Sequence, residues 1–248
     1  MKLKKRYIVA GVIAVSLTAF VTLALMTKNK IIQPNNLIGP LYEIQGVDVS
    51  NYQGDIDWQK MEDTGIDFAY IKATEGSSHV DASFEENWAE AQDTDIYIGA
   101  YHFFSFESSG LTQADHYIST VGNLDGKLLP VIDVEWYANN MGSVDVESAR
   151  VELAMMLDML ETEYERKPVI YTTYSAYGTI IKGYFDDYDL WIRNVYYTPV
   201  LDMNNVGWKY WQYSDRGKFD AYTGTEKYID LNIFRGSKEE FLECNKIN

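Results

Sequence analysis

One cysteine, three histidines and five prolines are all that 248 residues contain of these types. The lone thiol, Cys244, excludes an internal disulfide, so the fold must hold by packing, which a domain of about 200 residues can do. His79, His102 and His116 are scattered, and there is no CxxC or HExxH pattern. A zinc site is therefore not expected, nor any other metal or cofactor. No GxSxG motif supports a serine nucleophile. Basic residues are scarce as well: beyond residue 30, 15 Lys and Arg stand against 37 Asp and Glu, a formal charge of −22. This excludes nucleic acid as a partner, because phosphates need a basic surface. A polymeric substrate must then be held by short-range contacts, although such a charge also serves solubility alone.

The N-terminus is set apart. Lys2, Lys4, Lys5 and Arg6 precede an uncharged stretch from Tyr7 to Met26, which at about 1.5 Å per residue is long enough to cross a bilayer. The basic cluster predicts that the start of the chain stays in the cytoplasm and the remainder is exported. No small-x-small cleavage site is evident before Lys28, so an uncleaved signal anchor over residues 1–27 is favoured over a cleaved signal peptide. Residues 28–44 read as a linker, since Asn29, Gln33, Pro34, Asn35, Asn36, Gly39 and Pro40 discourage regular structure. Residues 45–248 form one domain, expected to be an extracytoplasmic monomer. The anchor favours work close to the membrane.

From Gln45 onward, short apolar runs alternate with helical patterns. The runs are Gly46–Ser50, Phe68–Ala73, Ile96–Phe104, Leu128–Trp136, Pro168–Thr173, Leu190–Arg193, Trp208–Tyr213 and Tyr228–Phe234. Near-continuous hydrophobicity implies strands buried on both faces, as in a parallel sheet covered by helices. Helices are predicted at Trp58–Asp63 capped by Asp57, at Phe84–Asp93 capped by Ser83, and at Leu111–Val121 and Val146–Tyr164. Met155, Met156 and Met159 on the last read as core. Eight strands with intervening helices predict an α/β fold, a (β/α) TIM-like barrel. No convincing helix separates Tyr213 from Tyr228, so the last strands should close in a hairpin-like, irregular way.

Chemistry in such barrels gathers at the C-terminal strand ends. There lie Asp48, Lys72, Glu75, Tyr101, His102, Asp133, Glu135, Tyr171, Trp191, Arg193, Trp211, Gln212, Asp230 and Asn232. Acids and aromatics dominate: aromatic faces stack on sugar rings, and carboxylates accept hydrogen bonds from hydroxyls. Any one of these aromatics is also explained by core packing, whereas a buried acid is costly unless paired or functional. Asp133-Val134-Glu135 is the sharpest signal. Side chains two apart on a strand share a face, so two carboxylates sit side by side, about 6–7 Å apart at the backbone. Two close carboxylates resist ionising together, and a neutral acid beside a charged base is what glycoside cleavage needs. An isolated D-x-E is equally a pair of solvent-facing acids or a helix cap; its surroundings decide.

Those surroundings form an ordered series. Gly46-Val47-Asp48-Val49-Ser50 is followed by Gln53-Gly54, Ile56-Asp57-Trp58, Phe68 through Gly76, Gly99-Ala100-Tyr101-His102-Phe103 and the Asp133-Val134-Glu135 strand. Pro168 through Thr172, Leu190-Trp191-Ile192, Trp211-Gln212-Tyr213 and Asp230-Leu231-Asn232 complete it. The series resembles glycoside hydrolase family 25, the N-acetylmuramidases of bacteria, fungi and phages, from Gly46 to about Gly236. The resemblance implies a flattened, irregular barrel with an acidic cleft, and hydrolysis of the β-1,4 bond between N-acetylmuramic acid and N-acetylglucosamine in peptidoglycan glycan strands. It also implies Glu135 as general acid, and Asp133 as the partner that orients the substrate's attacking 2-acetamido group. Asp48 and Asp230 match the other two cleft acids, and Lys72, Glu75, Tyr101, Tyr171, Trp191 and Trp211 are candidate sugar contacts. Two departures fall on the rim: His79-Val80-Asp81 replaces a stretch that usually carries an aromatic or Leu, and Arg193 stands where a small residue is common. Competing readings are a chitinase-like glycosidase and a catalytically silent wall-glycan-binding module. On the mechanism implied, Glu135 is protonated and Asp133 ionised.

Overall fold

Each apolar run becomes a strand because both of its faces are covered, one by helices and one by the strands opposite. The computed structural model describes residues 2–136, 144–201 and 206–247. Eight strands close a barrel: β1 (Ile44–Val49), β2 (Phe68–Glu75), β4 (Tyr97–Phe103), β5 (Val131–Val134), β6 (Val169–Thr173), β7 (Leu190–Arg193), β8 (Trp208–Gly217) and β9 (Ile229–Phe234). A two-residue β3 (His79–Val80) folds back on β2. The pairings from β1 through β8 are parallel. The last strand, β9, runs antiparallel to both β8 and β1. This is the expected hairpin-like closure, and it puts the start of β9, with Asp230, at the same mouth as the ends of the parallel strands; Asp230 lies in register with Asp48.

Helices α2 (Trp58–Glu62), α3 (Phe84–Ala91), α4 (Gly110–Val121) and α5 (Val146–Tyr164) connect the earlier strands. Asp57 caps α2, its carboxylate accepting the Lys60 N–H at 3.1 Å. Ser83 makes no such side-chain cap on α3. The buried Asp81 accepts the Ser83 N–H at 3.1 Å instead. Of the three methionines on α5, Met156 is buried and Met155 is exposed. The latter half departs from the simple alternation, with a short α6 (Tyr174–Ala176), a π-helical turn at Tyr177–Ile181 and a terminal α7 (Lys238–Cys244).

Two cores result. Outward-facing strand residues such as Val47, Ile71, Ile132, Ile192 and Trp211 pack beneath the helices. Inward-facing Phe68, Tyr70, Val131, Trp191, Tyr210 and Phe234 fill the barrel, plugged from below by Phe241 of α7. Aromatic rings dominate it: Phe241 lies 5.6 Å from Phe68 and 5.3 Å from Phe234 between ring centroids, and Tyr70 lies 5.0 Å from Trp191. Room for these rings comes from glycines, since a β-carbon on Gly46 or Gly99 would lie 2.5 Å or 2.4 Å from the rings of Phe68 and Tyr70. Cys244, beside this plug, accordingly stays a thiol; burial, with Asp189 nearby, pushes it up to about 12.

Helix α1 (Lys2–Lys28) contains a stretch, Gly11–Lys28, with a mean hydropathy of 1.7, long and apolar enough to cross a membrane. The segment after it is less free than a linker reading suggests. Two 3₁₀ turns, Pro34–Leu37 and Gly39–Leu41, lie against the barrel. Asn35 is fully buried and donates to the carbonyls of Asn194 at 2.8 Å and Tyr213 at 3.2 Å. Tyr42 packs edge-on against Trp208 and Trp211. Pro, Asn and Gly disfavour long elements, yet they also suit short turns whose polar groups the barrel can satisfy.

Phe241 gives the fold its test. Truncation to Ala is expected to lower stability by about 3–5 kcal/mol, because a cavity opens beneath the barrel. Urea unfolding that shows less than about 1 kcal/mol lost would mean the bottom plug contributes little.

Candidate active site

Barrel strands alternate inward and outward residues, and here each inward stripe changes from apolar at the base to polar at the mouth. The stripes read Ile44, Gly46, Asp48 on β1; Phe68, Tyr70, Lys72 on β2; and Val131, Asp133 on β5 with Glu135 just beyond. On β6 they read Val169, Tyr171; on β7, Trp191, Arg193; on β8, Tyr210, Gln212. They converge on a cleft of about 410 Å³ at the C-terminal mouth.

Of the residues expected from sequence, Asp48, Lys72, Tyr101, Asp133, Glu135, Tyr171, Trp191 and Asp230 line this cleft. Two do not. Trp211 is wholly buried on the outer side of β8, its indole N–H donating to the Asn194 carbonyl at 2.9 Å; it is one residue out of phase with the inward stripe. Glu75 follows a bulge between Lys72 and Thr74 and touches the site only through its ion pair with Lys72 at 2.7 Å. His102 likewise faces outward, held by Thr74 at 2.7 Å and Gln113 at 3.0 Å. Burial pushes its imidazole down to about 3, so it stays neutral and outside the acid–base chemistry.

The floor is a closed relay around Asp48. The indole of Trp191 can only donate, and it gives its N–H to Asn232 Oδ1 at 3.0 Å. The Tyr171 hydroxyl donates to Gln212 Oε1 at 3.0 Å. Both amides must therefore turn their NH₂ groups toward Asp48, whose Oδ2 accepts from Asn232 at 2.8 Å and Gln212 at 2.9 Å. The two rings meet edge to face at 5.1 Å. Gln212 and Asn232 were visible as strand-end polar residues, but only the assembled barrel reveals their work.

All four acids hold protons above the ordinary carboxylate range. Asp133 is raised strongly, first by burial, then by the charges of Glu135 and Asp48, and its Oδ1 is buried with no hydrogen-bond partner. Burial also raises Glu135, with Asp48 adding to the effect and Arg193 and Lys72 opposing it. Asp230 is raised strongly by burial and by Asp48, with Arg193 opposing. Asp48 is raised by burial against the pull of its two amide donors. Both carboxyls of the pair are thus pushed toward keeping a proton, chiefly by burial, and Lys72 and Arg193 oppose this at both.

The rim holds residues that the sequence did not single out. Tyr52, Gln53, Asp215, Glu226 and Tyr228 line the cleft. Tyr52 is largely exposed, and Arg216, Lys218 and Lys227 lie over the Tyr228 ring at 5.3, 5.3 and 5.5 Å. Their signal is indirect: the chain turns just after Asp48, and Gly224 approaches Gln53 so closely that its N–H meets the Gln53 carbonyl at 2.6 Å. Arg193, conspicuous as a departure, supplies one of the two cations in the cleft lining and bonds Asp215 at 3.1 Å. Asp81 of the other departure is buried and accepts the Asn51 N–H at 3.2 Å, which steadies the turn carrying Tyr52. Among the described residues, no cluster of three or more His, Cys, Asp or Glu is arranged to hold a metal ion.

Comparison with known proteins agrees with this geometry. The sequence profile of "Glycosyl hydrolases family 25" matches residues 47–222. YegX of Escherichia coli K12 is 39% identical over 204 residues, which is 80% of this chain and 72% of that one. Lysozyme M1 of Streptomyces globisporus is 33% identical over 211 residues, 80% of this chain and 70% of that one. A family 25 glycosyl hydrolase from Bacillus anthracis superposes with a TM-score of 0.77 at 48% identity, covering 82% of this chain and 94% of that one. An eight-stranded barrel with an acid-lined mouth, matched in profile, sequence and shape, makes this chain a member of glycosyl hydrolase family 25.

Proposed function

We propose that the cleft cleaves the β-1,4 bond between N-acetylmuramic acid and N-acetylglucosamine in peptidoglycan, with retention through substrate assistance. The carrying observation is the convergence of Asp133 and Glu135, with Asp48 and Asp230, above an aromatic floor in one cleft. Family membership and relatives such as a lysozyme support hydrolysis of wall glycan. The strongly acidic exported portion and the apolar helix α1 support an extracytoplasmic enzyme, held at the membrane as a monomer.

The two carboxyls divide the work. A substrate acetamido N–H donated to the Asp133 carboxylate favours the aspartate anion, and the proton that Asp133 gives up passes to Glu135. Glu135, the more accessible acid, donates it to the glycosidic oxygen. As that bond breaks, the acetamido carbonyl oxygen attacks the anomeric carbon, and Asp133 stabilises the positive charge that develops on the amide. Glu135, now a carboxylate, deprotonates the water that opens the cyclic intermediate. Two successive displacements, from opposite faces of the anomeric carbon, each invert it and together restore the original configuration. Tyr171 and Trp191, locked by the Asp48 relay, keep the sugar-binding floor rigid, which limits the reorganisation needed at the moment of reaction.

Glu135→Gln should lower turnover on purified cell walls by about 10²–10⁴-fold, the range for loss of a general acid, while glycan binding by calorimetry persists. Near-normal turnover by that variant would reassign the acid. Proton NMR of the first product should show the β-anomer; an initial α-anomer would exclude retention. De-N-acetylated wall should be a poor substrate, and comparing reducing ends released from chitin and peptidoglycan separates this activity from a chitinase-like one.

Stability should carry the same signature. Asp133 binds its proton more tightly folded than unfolded. Its favourable contribution is therefore complete below about pH 4, the unfolded carboxyl value, and is lost as pH rises through the raised folded value. Asp133→Asn removes that loss, so the variant should melt higher than wild type at pH 7 and show little difference at pH 4. A lower melting temperature at pH 7 would mean that the carboxylate is stabilised in a way the cleft geometry does not provide.

A further inference from the structure

Helix α1 ends on a residue ill suited to end it. Lys30 has φ of 55°, the left-handed conformation usually given to glycine after a helix. The closure is otherwise ordinary: the Lys30 N–H meets the Thr27 carbonyl at 2.9 Å, and that of Ile31 meets the Met26 carbonyl at 2.8 Å. A side chain kept where the backbone disfavours one points to work done by that side chain. Here the ammonium is ion-paired with Asp215 Oδ2 and lies 5.9 Å from the Tyr196 ring centroid. Both partners are largely sequestered, Lys30 being 24% and Asp215 15% exposed at the side chain.

Asp215 links this end of the helix to the chemistry. It lines the cleft, and the same Oδ2 accepts from Arg193 Nη2 at 3.1 Å. Two cations, one from the membrane-directed helix and one from the cleft wall, thus share a single carboxylate oxygen. Arg193 has five donors, and this one bond to Asp215 holds the guanidinium while its positive charge still acts on Glu135 and Asp230.

We propose that Lys30 is a positioning residue of the cleft: by sharing Asp215 with Arg193 it fixes the guanidinium and offsets the Asp215 charge, so that full activity depends on how helix α1 leaves the barrel. Asp230 reports on this most directly. It faces Asp48 from β1, Arg193 from β7, Asp215 from β8, Glu135 beyond β5 and Tyr101 from β4. Without Lys30, the Asp215 charge is balanced by Arg193 alone; the guanidinium is drawn toward Asp215, and both changes make it harder for Asp230 and Glu135 to lose their protons.

The proposal rests on the muramidase reading for its activity assay but not for its titration. Full-length Lys30→Gly, Lys30→Gln and Lys30→Arg would be compared with wild type in nanodiscs, by carbon-detected NMR of the Asp230 carboxyl and by pH profiles on purified cell walls. Lys30→Gly suits the local backbone, so it should melt no lower than wild type. It should nevertheless titrate Asp230 measurably higher than wild type, because Asp215 then keeps only one of its two cations. It should also show a several-fold lower kcat with little change in KM, and an alkaline limb displaced upward. Lys30→Gln should behave alike, and Lys30→Arg should restore both. Unchanged titration and turnover in Lys30→Gly, or failure of Lys30→Arg to rescue, would reduce the pair to a surface staple and overturn the proposal. Wild type inactive on peptidoglycan but with the Asp230 shift intact would instead sink the substrate assignment alone.

Discussion

The constraint on which the rest depends is the twofold alternation of side chains around a closed barrel. A strand buried on both faces must place every second residue inside, and inside there is room only for a layered stack. At the base that stack is aromatic and sealed by α7. At the mouth the next layer opens on the cleft, and there the inward positions become Asp48, Lys72, Asp133, Arg193 and Gln212. The antiparallel β9 adds Asp230 and Asn232 to the same layer because it enters the barrel from the top. The acidic cleft is thus the final layer of the core, not an attachment to it.

That origin explains its electrostatics. Carboxylates resting on an aromatic floor lose much of their hydration, and several in one layer repel one another, so all four retain protons beyond the usual range. The cleft offsets this unevenly. Asp48 receives two amide donors, each oriented by an aromatic N–H or O–H below it. Asp133 receives none at Oδ1. An unfilled acceptor in a buried acid is costly, so the layer fixes Asp48 firmly and leaves Asp133 less well satisfied.

Where sequence reading went astray, the reasons are local. Trp211 sits in a motif flanked by inward residues, and only the strand's phase, fixed by Tyr210 entering the barrel, turns it outward. Glu75 lies beyond a bulge that no periodicity announces. Ser83 has the composition of a helix cap, but Asp81 takes over by accepting the Ser83 N–H. Residues 28–44 have the composition of a spacer, yet Asn35 and Tyr42 find partners on the barrel wall. Trp211 and the segment with Asn35 and Tyr42 were decided by partners distant in the chain, Glu75 and Ser83 by local backbone geometry.

The sequence by itself determined the barrel, its hairpin-like closure, the apolar N-terminal helix and the acids at the strand ends. These follow from hydrophobic period, charge placement and short motifs, all of which act within a few residues. Tertiary structure alone decided how deeply the Asp133–Glu135 pair is buried, how Gln212 and Asn232 bind Asp48 to the floor, and that Lys30 reaches Asp215. Those outcomes depend on depth of burial and on groups 160 or more residues apart, such as Asp48 with Gln212 and Asn232 and Lys30 with Asp215, and no local pattern encodes the dielectric a side chain will meet once the barrel closes.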